Sequence, residues 1–180
     1  MVPGVGSLAA MAIDVRLVRP EEHEALGKLT LAAYRGVDPR TTDAGDGYDD
    51  ELADVGRRAA DADVLVVVDP ERGVLGGVTY VPGPGSPSAE FTDADAAGIR
   101  MLAVSGDARG EGVGEALVRA CVDRATAAGK RRIVLHSTER MTTAHRLYQR
   151  LGFVRDDATD WEPVAGLVLL GFRLDLPATP

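Results

Sequence analysis

The sequence predicts a single α/β domain built on a mixed β-sheet. Its 180 residues fit one compact domain, and 45% hydrophobic with 27% charged residues is an ordinary globular composition. Two apolar runs, at 63–69 and 74–81, are joined by a short turn and predict an antiparallel hairpin. After residue 97, strand patterns alternate with helical ones, which predicts parallel strands. A hairpin followed by a parallel segment requires a mixed sheet.

The individual elements follow from hydrophobic periodicity and from the positions of glycine and proline. Strands are predicted at Asp14–Arg19, Asp63–Asp69, Val74–Val81, Ile99–Val104, Arg132–Ser137 and Leu167–Leu174. Helices are predicted from Pro20 past Ala33 and at Tyr48–Arg58, Gly112–Ala128 and Thr142–Leu151. Loops are predicted at Gly36–Gly47 and Pro82–Ala96, and the second is long enough to suggest a function. We expect a flexible leader at 1–12, which is small and glycine-rich, before a domain at 13–177.

Charge is distributed unevenly along the chain. The whole sequence has 20 basic and 28 acidic residues, a net charge of −8. The segment Arg109–Arg150 nevertheless has a net charge of +5, so the remainder carries −13. An acidic protein is a poor general partner for nucleic acids or anionic membranes, and we expect neither. The basic segment is either a solvated helix surface or a site for one small anionic ligand.

Cysteine usage and hydropathy favour a cytoplasmic protein. Cys121 is the single cysteine, so no internal disulfide can form. It falls on the apolar stripe of the helix Gly112–Ala128, and we interpret it as a core residue. No apolar run approaches the roughly 18 residues of a membrane-spanning helix. The N-terminus also lacks the basic start of a signal peptide.

The most informative segment runs from a strand through a glycine-rich turn into a helix. Its glycines alternate at Gly110, Gly112 and Gly114, and Arg109 precedes them. The first amides of a helix have no internal acceptors, and glycines allow a phosphate to approach them closely. Arg109 adds a charged, forked donor. The turn therefore indicates an anion site, with a glycine-lined packing contact as the structural alternative.

Two other classes of glycine-rich turn fit the spacing poorly. A Walker loop needs Gly-Lys-Ser or Gly-Lys-Thr, which the chain lacks. A dinucleotide fingerprint would need a glycine where Glu115 stands and an acidic residue about 20 positions later. Lys130, Arg131 and Arg132 stand there instead. A nicotinamide enzyme is therefore disfavoured.

Two blocks of sequence, Arg109–Gly114 and Ala144–Phe153, resemble the GCN5-related N-acetyltransferases, the GNAT family. Arg109–Gly114 matches the family signature Arg/Gln-x-x-Gly-x-Gly/Ala, and Met101–Val104 is a strand at the usual distance before it. The segment Ala144–Phe153 matches a second block, Ala-x-x-Leu-Tyr-x-x-x-Gly-Phe. The resemblance is specific over about Ile99–Phe153 and loose before it. It implies a sheet of about six to seven strands, flanked by helices, with a splayed central parallel pair that holds acetyl-CoA.

The resemblance also implies which residues bind the cofactor, with CoA as the product. The backbone of Leu102, Ala103 and Val104 would pair with the pantetheine amides like an added strand. The pyrophosphate-binding residues would be Arg109, Gly110, Glu111, Gly112, Val113, Gly114 and Glu115. Arg146 and Arg150 are candidates for contacts with the 3′-phosphate. Met141 stands where relatives often carry a cofactor-binding asparagine. We assign no metal ligands.

The implied reaction is direct attack of a primary amine on the thioester. Tyr148 falls on the family's catalytic tyrosine position and would assist departure of the thiolate. Many relatives place a glutamate at the start of the strand before the signature, where this chain has only Ala96, Ala97 and Gly98. We therefore name Glu90 as the candidate catalytic carboxylate. The alternatives for the same role are Asp93, Asp95 and His136.

The acceptor is expected to be a small-molecule or peptide amine. The candidate acceptor segments are Tyr34–Arg58, Pro82–Ala96 and Thr159–Gly166, with Trp161 as a wall. Their acids favour a cationic acceptor: Asp38, Asp43, Asp46, Asp49, Asp50, Glu51, Asp54, Glu90, Asp93 and Asp95. A monomer or a homodimer fits the sequence equally. The alternative function is a non-catalytic acyl-CoA-binding or regulatory module, for which the absent strand glutamate is the support.

Overall fold

A computed structural model describes residues 13–38 and 47–177. Its strands are β1 (Arg16–Leu17), β2 (Asp63–Asp69), β3 (Gly73–Val81), β4 (Ala96–Val104), β5 (Arg132–Thr138), β6 (Val154–Arg155), β7 (Trp161–Val164) and β8 (Leu167–Asp175). Its helices are α1 (His23–Val37), α2 (Tyr48–Ala53), α3 (Val55–Asp61), α4 (Val113–Ala127) and α5 (Thr142–Arg150). The predicted leader at 1–12 and the acids Asp43 and Asp46 lie outside the described residues.

The strands form one mixed sheet, which confirms the predicted fold class. Their order is β1-β2-β3-β4-β5-β8-β6, and β7 pairs with β8. Of these neighbours only β4 and β5 run parallel. The described residues contain eight strands, two more than the pattern located, because β6 and β7 are too short to show an alternation.

Helices cover both faces of this sheet. Leu26 of α1 packs with Val55 of α3 and with Val64 and Val66 of β2 on one face. The helices α4 and α5 pack on the other face over a larger core that includes Leu117, Ile133 and Phe172. Two adjacent glycines of β3 let the layers approach. A Cβ at Gly76 would lie 2.9 Å from Val113 of α4, and one at Gly77 would lie 2.5 Å from Leu26 of α1.

Several element boundaries differ from those predicted, and the strand predicted at Asp14–Arg19 is reduced to Arg16–Leu17. The helix predicted at Tyr48–Arg58 is broken at Asp54, whose carboxylate accepts a hydrogen bond from the Arg57 amide and caps a separate α3. The strand predicted at Ile99–Val104 begins earlier, at Ala96, because β5 pairs with it from there. The helix α1 continues through Gly36 to Val37, where a loop was predicted.

The interpretation of Cys121 as a core residue is confirmed. The side chain is completely buried among α4 and its neighbours. Burial raises the pKa of its thiol to about 12, so the group stays protonated and unreactive near neutral pH. Within residues 13–38 and 47–177, no helix is long and apolar enough to cross a membrane.

Candidate active site

The strands β4 and β5 separate halfway along their length. Their parallel pairing runs from Ala96 opposite Arg132 to Ile99 opposite Leu135 and stops there. The rest of β4 pairs only on its other edge, where Gly76 and Gly77 of β3 lie opposite Val104 and Ala103. The predicted residues Leu102, Ala103 and Val104 all lie in this diverging part. An extended ligand could therefore use the β4 edge that β5 leaves open.

A bulge marks the point where β4 leaves its partner. The pairing with β3 changes register between Thr79, which lies opposite Arg100, and Gly77, which lies opposite Ala103. Met101 lies inside this bulge with a φ of 53°, a left-handed conformation that L side chains rarely adopt. A bulge increases the twist of a strand, which is consistent with β4 turning away from β5.

The glycine-rich turn lies at the end of this open edge. Gly110 and Gly112 have φ values of 82° and 87°, conformations that favour glycine, and Gly112 is the N-cap of α4. A Cβ at Gly110 would meet nothing within 4 Å. A Cβ at Gly114 would lie 3.5 Å from Val104 of β4 and 3.4 Å from Leu147 of α5, so three elements converge here. The turn leaves the first amides of α4 accessible to an anion.

Arginines neutralise the two glutamates of this turn. Arg72, from the β2–β3 turn, makes a bidentate ion pair with Glu111 at 3.0 and 2.8 Å. Arg119 and Arg150 bind Glu115 at 2.9 and 3.1 Å. These contacts lower the pKa of both glutamates. The charge count along the chain missed Arg72 because it lies outside the basic segment.

Tyr148 is buried where α5 packs against the sheet. Its ring lies 5.7 Å from that of Phe153 and 5.9 Å from that of Phe172. Burial, and to a smaller extent the nearby Tyr34 and Cys121, raise the pKa of the Tyr148 phenol. The phenol therefore keeps its proton near neutral pH. A protonated phenol can donate a proton or a hydrogen bond to a developing anion.

The alternative candidates for the base do not all lie together. Glu90 binds Arg100 of β4 at 2.7 Å, and its other oxygen lies 3.7 Å from Nδ1 of His136 on β5. His136 directly follows the last residue that pairs with β4. Asp93 instead pairs with Arg132 at 3.2 Å, at the end of β5 that remains joined to β4. The structure thus brings Glu90 and His136 together at the separating strands and leaves Asp93 at the other end.

Arg100, which the sequence did not single out, joins three elements: β4, α2 and the loop between β3 and β4. Besides Glu90, it binds Glu51 of α2 at 3.1 Å and the carbonyl of Ser88 at 3.3 Å. Only 14% of its side chain is exposed. A charged residue inside the otherwise apolar strand Ile99–Val104 was the signal that could have identified it.

Two partly buried tyrosines lie near Arg100. The rings of Tyr34 and Tyr48 pack edge to face with centroids 6.5 Å apart. Burial raises the pKa of Tyr34 to about 12, and the backbone amide of Met101 interacts with its hydroxyl. Burial also raises the pKa of Tyr48. Hydrophobic periodicity does not predict that these phenols lie near β4, because the contacts join residues far apart in the chain.

Comparison with known proteins identifies the family of this chain. The family model described as the Acetyltransferase (GNAT) family matches residues 28–153. The chain belongs to the GNAT acetyltransferase family. No curated protein matches the sequence closely enough to count as a relative.

Solved structures of GNAT proteins share this fold. A GCN5-related N-acetyltransferase from Kribbella flavida is 27% identical with a TM-score of 0.64, over 92% of this chain and 98% of that one. The putative acetyltransferase yncA from Salmonella typhimurium, solved with its cofactor acetyl-CoA, is 20% identical with a TM-score of 0.65, over 93% and 96%. A Corynebacterium glutamicum protein described as histone acetyltransferase HPA2 and related acetyltransferase is 23% identical with a TM-score of 0.66, over 94% and 99%.

Proposed function

We propose that this GNAT acetyltransferase transfers an acetyl group from acetyl-CoA to a primary amine, through a domain spanning 13–177. The observation that carries the proposal is the separation of β4 from β5 after Ile99, which leaves an open strand edge leading to the turn at Gly112. Acetyl-CoA supplies the activated thioester, and its extended pantetheine arm and phosphates match an open strand edge and a helix start.

The cofactor-binding residues follow from this match. The backbone of Leu102, Ala103 and Val104 holds the pantetheine arm, and the amides of the turn hold the pyrophosphate. That turn comprises Arg109, Gly110, Glu111, Gly112, Val113, Gly114 and Glu115. The ion pairs of Arg72, Arg119 and Arg150 support the assignment, because they offset the negative charge of Glu111 and Glu115 beside an anion.

Tyr148 and Glu90 divide the proton transfers. Tyr148, protonated and buried, donates to the departing thiolate. Glu90 accepts the proton of the attacking ammonium, directly or through water. One of its oxygens is held by Arg100, and the other faces His136. This arrangement supports Glu90 over Asp93, which is engaged with Arg132 at the joined end of the strands.

The acceptor is a cationic amine. A pocket of about 420 Å³ at the start of α2 is lined by Asp50, Glu51 and Asp54, together with Gly47, Tyr48 and Arg57. Three carboxylates against one guanidinium make the potential at this pocket negative. Glu51 is linked through Arg100 to Glu90, so the pocket favours the approach of a positively charged acceptor to Glu90. We expect a small molecule or a peptide, and a monomer or homodimer as the working form.

Replacing the Tyr148 hydroxyl tests the mechanism. Tyr148→Phe should lower kcat by about a hundredfold, because it removes a proton donor and keeps the ring packing. The measurement is release of free thiol from acetyl-CoA with a panel of amines. Tyr80→Phe is the matched control, since Tyr80 is equally buried but belongs to the core beneath α4. Unchanged turnover of Tyr148→Phe would remove Tyr148 from the mechanism.

A non-catalytic acyl-CoA-binding module is the second candidate. It is favoured by the strand start at Ala96, Ala97 and Gly98, which carries no carboxylate and is covered at Gly98 by the ring of Phe91. Calorimetry with CoA, combined with the thiol-release assay, separates the two candidates. Binding of CoA without thiol release for any amine of the panel would support this module.

A further inference from the structure

A row of three residues crosses the sheet on the acceptor side. Thr138, at the end of β5, lies opposite Leu169 of β8, and Leu169 lies opposite Trp161 of β7. Residues directly opposite one another in a sheet point to the same face. The side chains of Thr138 and Trp161 therefore share a face, with Leu169 between them.

His136 connects this row to the candidate base. It lies two residues before Thr138 on β5 and so points to the same face. Its Nδ1 faces Glu90 at 3.7 Å, and its Nε2 contacts the carbonyl of Thr159 at 2.9 Å. Its ring also packs edge to face on the indole of Trp161, with centroids 6.3 Å apart. Glu90, His136 and Trp161 thus form a continuous surface beside the separating strands.

Gly171 of β8 makes room for this surface. It lies opposite His136, and a Cβ at that position would collide with Thr159 and lie 2.8 Å from the carbonyl of Asp156. The missing side chain lets the Asp156–Thr159 turn approach the sheet, and that turn supplies the carbonyl that holds His136.

Two features of the row remain unexplained by folding. Thr138 is 2% exposed, yet its Oγ1 has no hydrogen-bond partner among the described residues. A buried hydroxyl without a partner destabilises a fold, so a ligand that pairs with it recovers that loss. The second feature is that Trp161, a large apolar residue, is 42% exposed to solvent. The face of an indole attracts organic cations.

We propose that Trp161, His136, Thr138 and Glu90 form the acceptor subsite, and that it selects an aliphatic amine carrying a second positive charge. The reacting ammonium lies at Glu90, the second cation lies over the indole of Trp161, and the Thr138 hydroxyl accepts a hydrogen bond from an N–H of the ligand. This inference rests on the proposed acetyl transfer and names its substrate class.

Trp161 is the single tryptophan of the chain, so its fluorescence reports on this subsite directly. The full chain is titrated with putrescine, which has two amines, and with butylamine, which has one. Putrescine should change the emission with a Kd at least about fivefold lower than that of butylamine, because the second cation gains the indole contact. Equal affinities, or no change in emission with either amine, would overturn the proposal.

Steady-state kinetics give an independent test. Trp161→Leu should raise the KM for putrescine about tenfold, and Trp161→Phe should restore part of it, because an aromatic face returns. Thr138→Val, which keeps the shape and loses the hydroxyl, should raise the same KM while leaving the KM for acetyl-CoA unchanged. Val168→Ala is the control, an exposed apolar residue of the same hairpin.

The outcomes separate this inference from the function on which it rests. Acetyl transfer with a KM for putrescine that is the same in Trp161→Leu and the parent would overturn the subsite and leave the acetyltransferase standing. Saturable quenching by putrescine without turnover of any amine would support the subsite and contradict the proposed acetyl transfer. Loss of the putrescine preference in Trp161→Leu, with its return in Trp161→Phe, would support both.

Discussion

The proposed cofactor and acceptor sides of the site differ in composition. The proposed cofactor side consists mainly of backbone: the open edge of β4 after Ile99 and the first amides of α4 after Gly112. The proposed acceptor side consists of side chains that reach from separate segments, with Arg100 joining Glu51 and Glu90. The first side needs a particular chain conformation, and the second needs particular contacts between distant residues.

This difference determines how each side should respond to mutation. A site made of backbone tolerates many side-chain changes but depends on the few positions that fix its conformation. A site made of partly buried ion pairs depends on each partner, because the removal of one leaves the others without compensation. Two substitutions test the contrast, and a third tests the pH dependence of stability at His145; they follow in order of decreasing effect.

The largest effect is expected at Gly112. Gly112→Val places a β-branched side chain at a φ of 87°, at the N-cap of α4. Left-handed strain of about 1 to 2 kcal/mol should move the turn out of the conformation that presents the first amides of α4, and the loss of their charge-assisted contacts should weaken CoA binding by about a hundredfold. Isothermal titration calorimetry with CoA measures the effect.

Gly106→Ala is the matched control, since a Cβ there meets nothing within 4 Å and the residue is not in the left-handed region. It should bind CoA like the parent chain. If Gly112→Val also bound CoA like the parent, the turn would not be the anion site and the contrast between the two sides would collapse.

A smaller effect is expected from Arg100→Gln on the acceptor side. The change leaves Glu51 and Glu90 without their shared cation and should lower the free energy of unfolding by on the order of 2 kcal/mol. It should raise the KM for the amine and leave that for acetyl-CoA unchanged. Urea unfolding and steady-state kinetics measure the two effects.

An exposed ion pair provides the control for Arg100. Arg124 binds Asp63 at 3.3 Å, and both side chains are at least one-third exposed. Arg124→Gln should therefore lower the free energy of unfolding by less than about 1 kcal/mol. Equal losses in the two variants, or a raised KM for acetyl-CoA in Arg100→Gln, would contradict the division of the cleft into two sides.

The smallest effect concerns pH and His145. Its Nε2 lies 3.1 Å from the hydroxyl of Ser137, and burial lowers its pKa below the ordinary 6.5. The folded state thus binds this proton less readily than the unfolded state, so His145 contributes stability above about pH 6.5 that is lost as the pH falls through the lowered pKa. His145→Gln should reduce the decrease in melting temperature between about pH 7.5 and 5.5. An unchanged decrease would contradict this assignment.

The sequence predicted the glycine-rich turn and its helix start more completely than the contacts around Arg100. The glycine spacing at Gly110, Gly112 and Gly114 is local, and two of these residues adopt the positive φ that only such a residue allows cheaply. Glu90 and His136 were named separately as alternatives, and only the structure shows them side by side. The roles of Arg100, Tyr34 and Tyr48 were not predicted, because their contacts join residues far apart in the chain.

By itself, the sequence determined the mixed sheet, the core position of Cys121 and the segment in which the glycine-rich turn would begin a helix. These features depend on periodicity, burial and local backbone preference, which act over a few neighbouring residues. Only the tertiary structure decided where β4 leaves β5 and which side chains meet there. It also placed the unpartnered hydroxyl of Thr138 on the same face as Trp161. Strand register determines which side chains of neighbouring strands come into contact, and register is set by packing across the whole sheet.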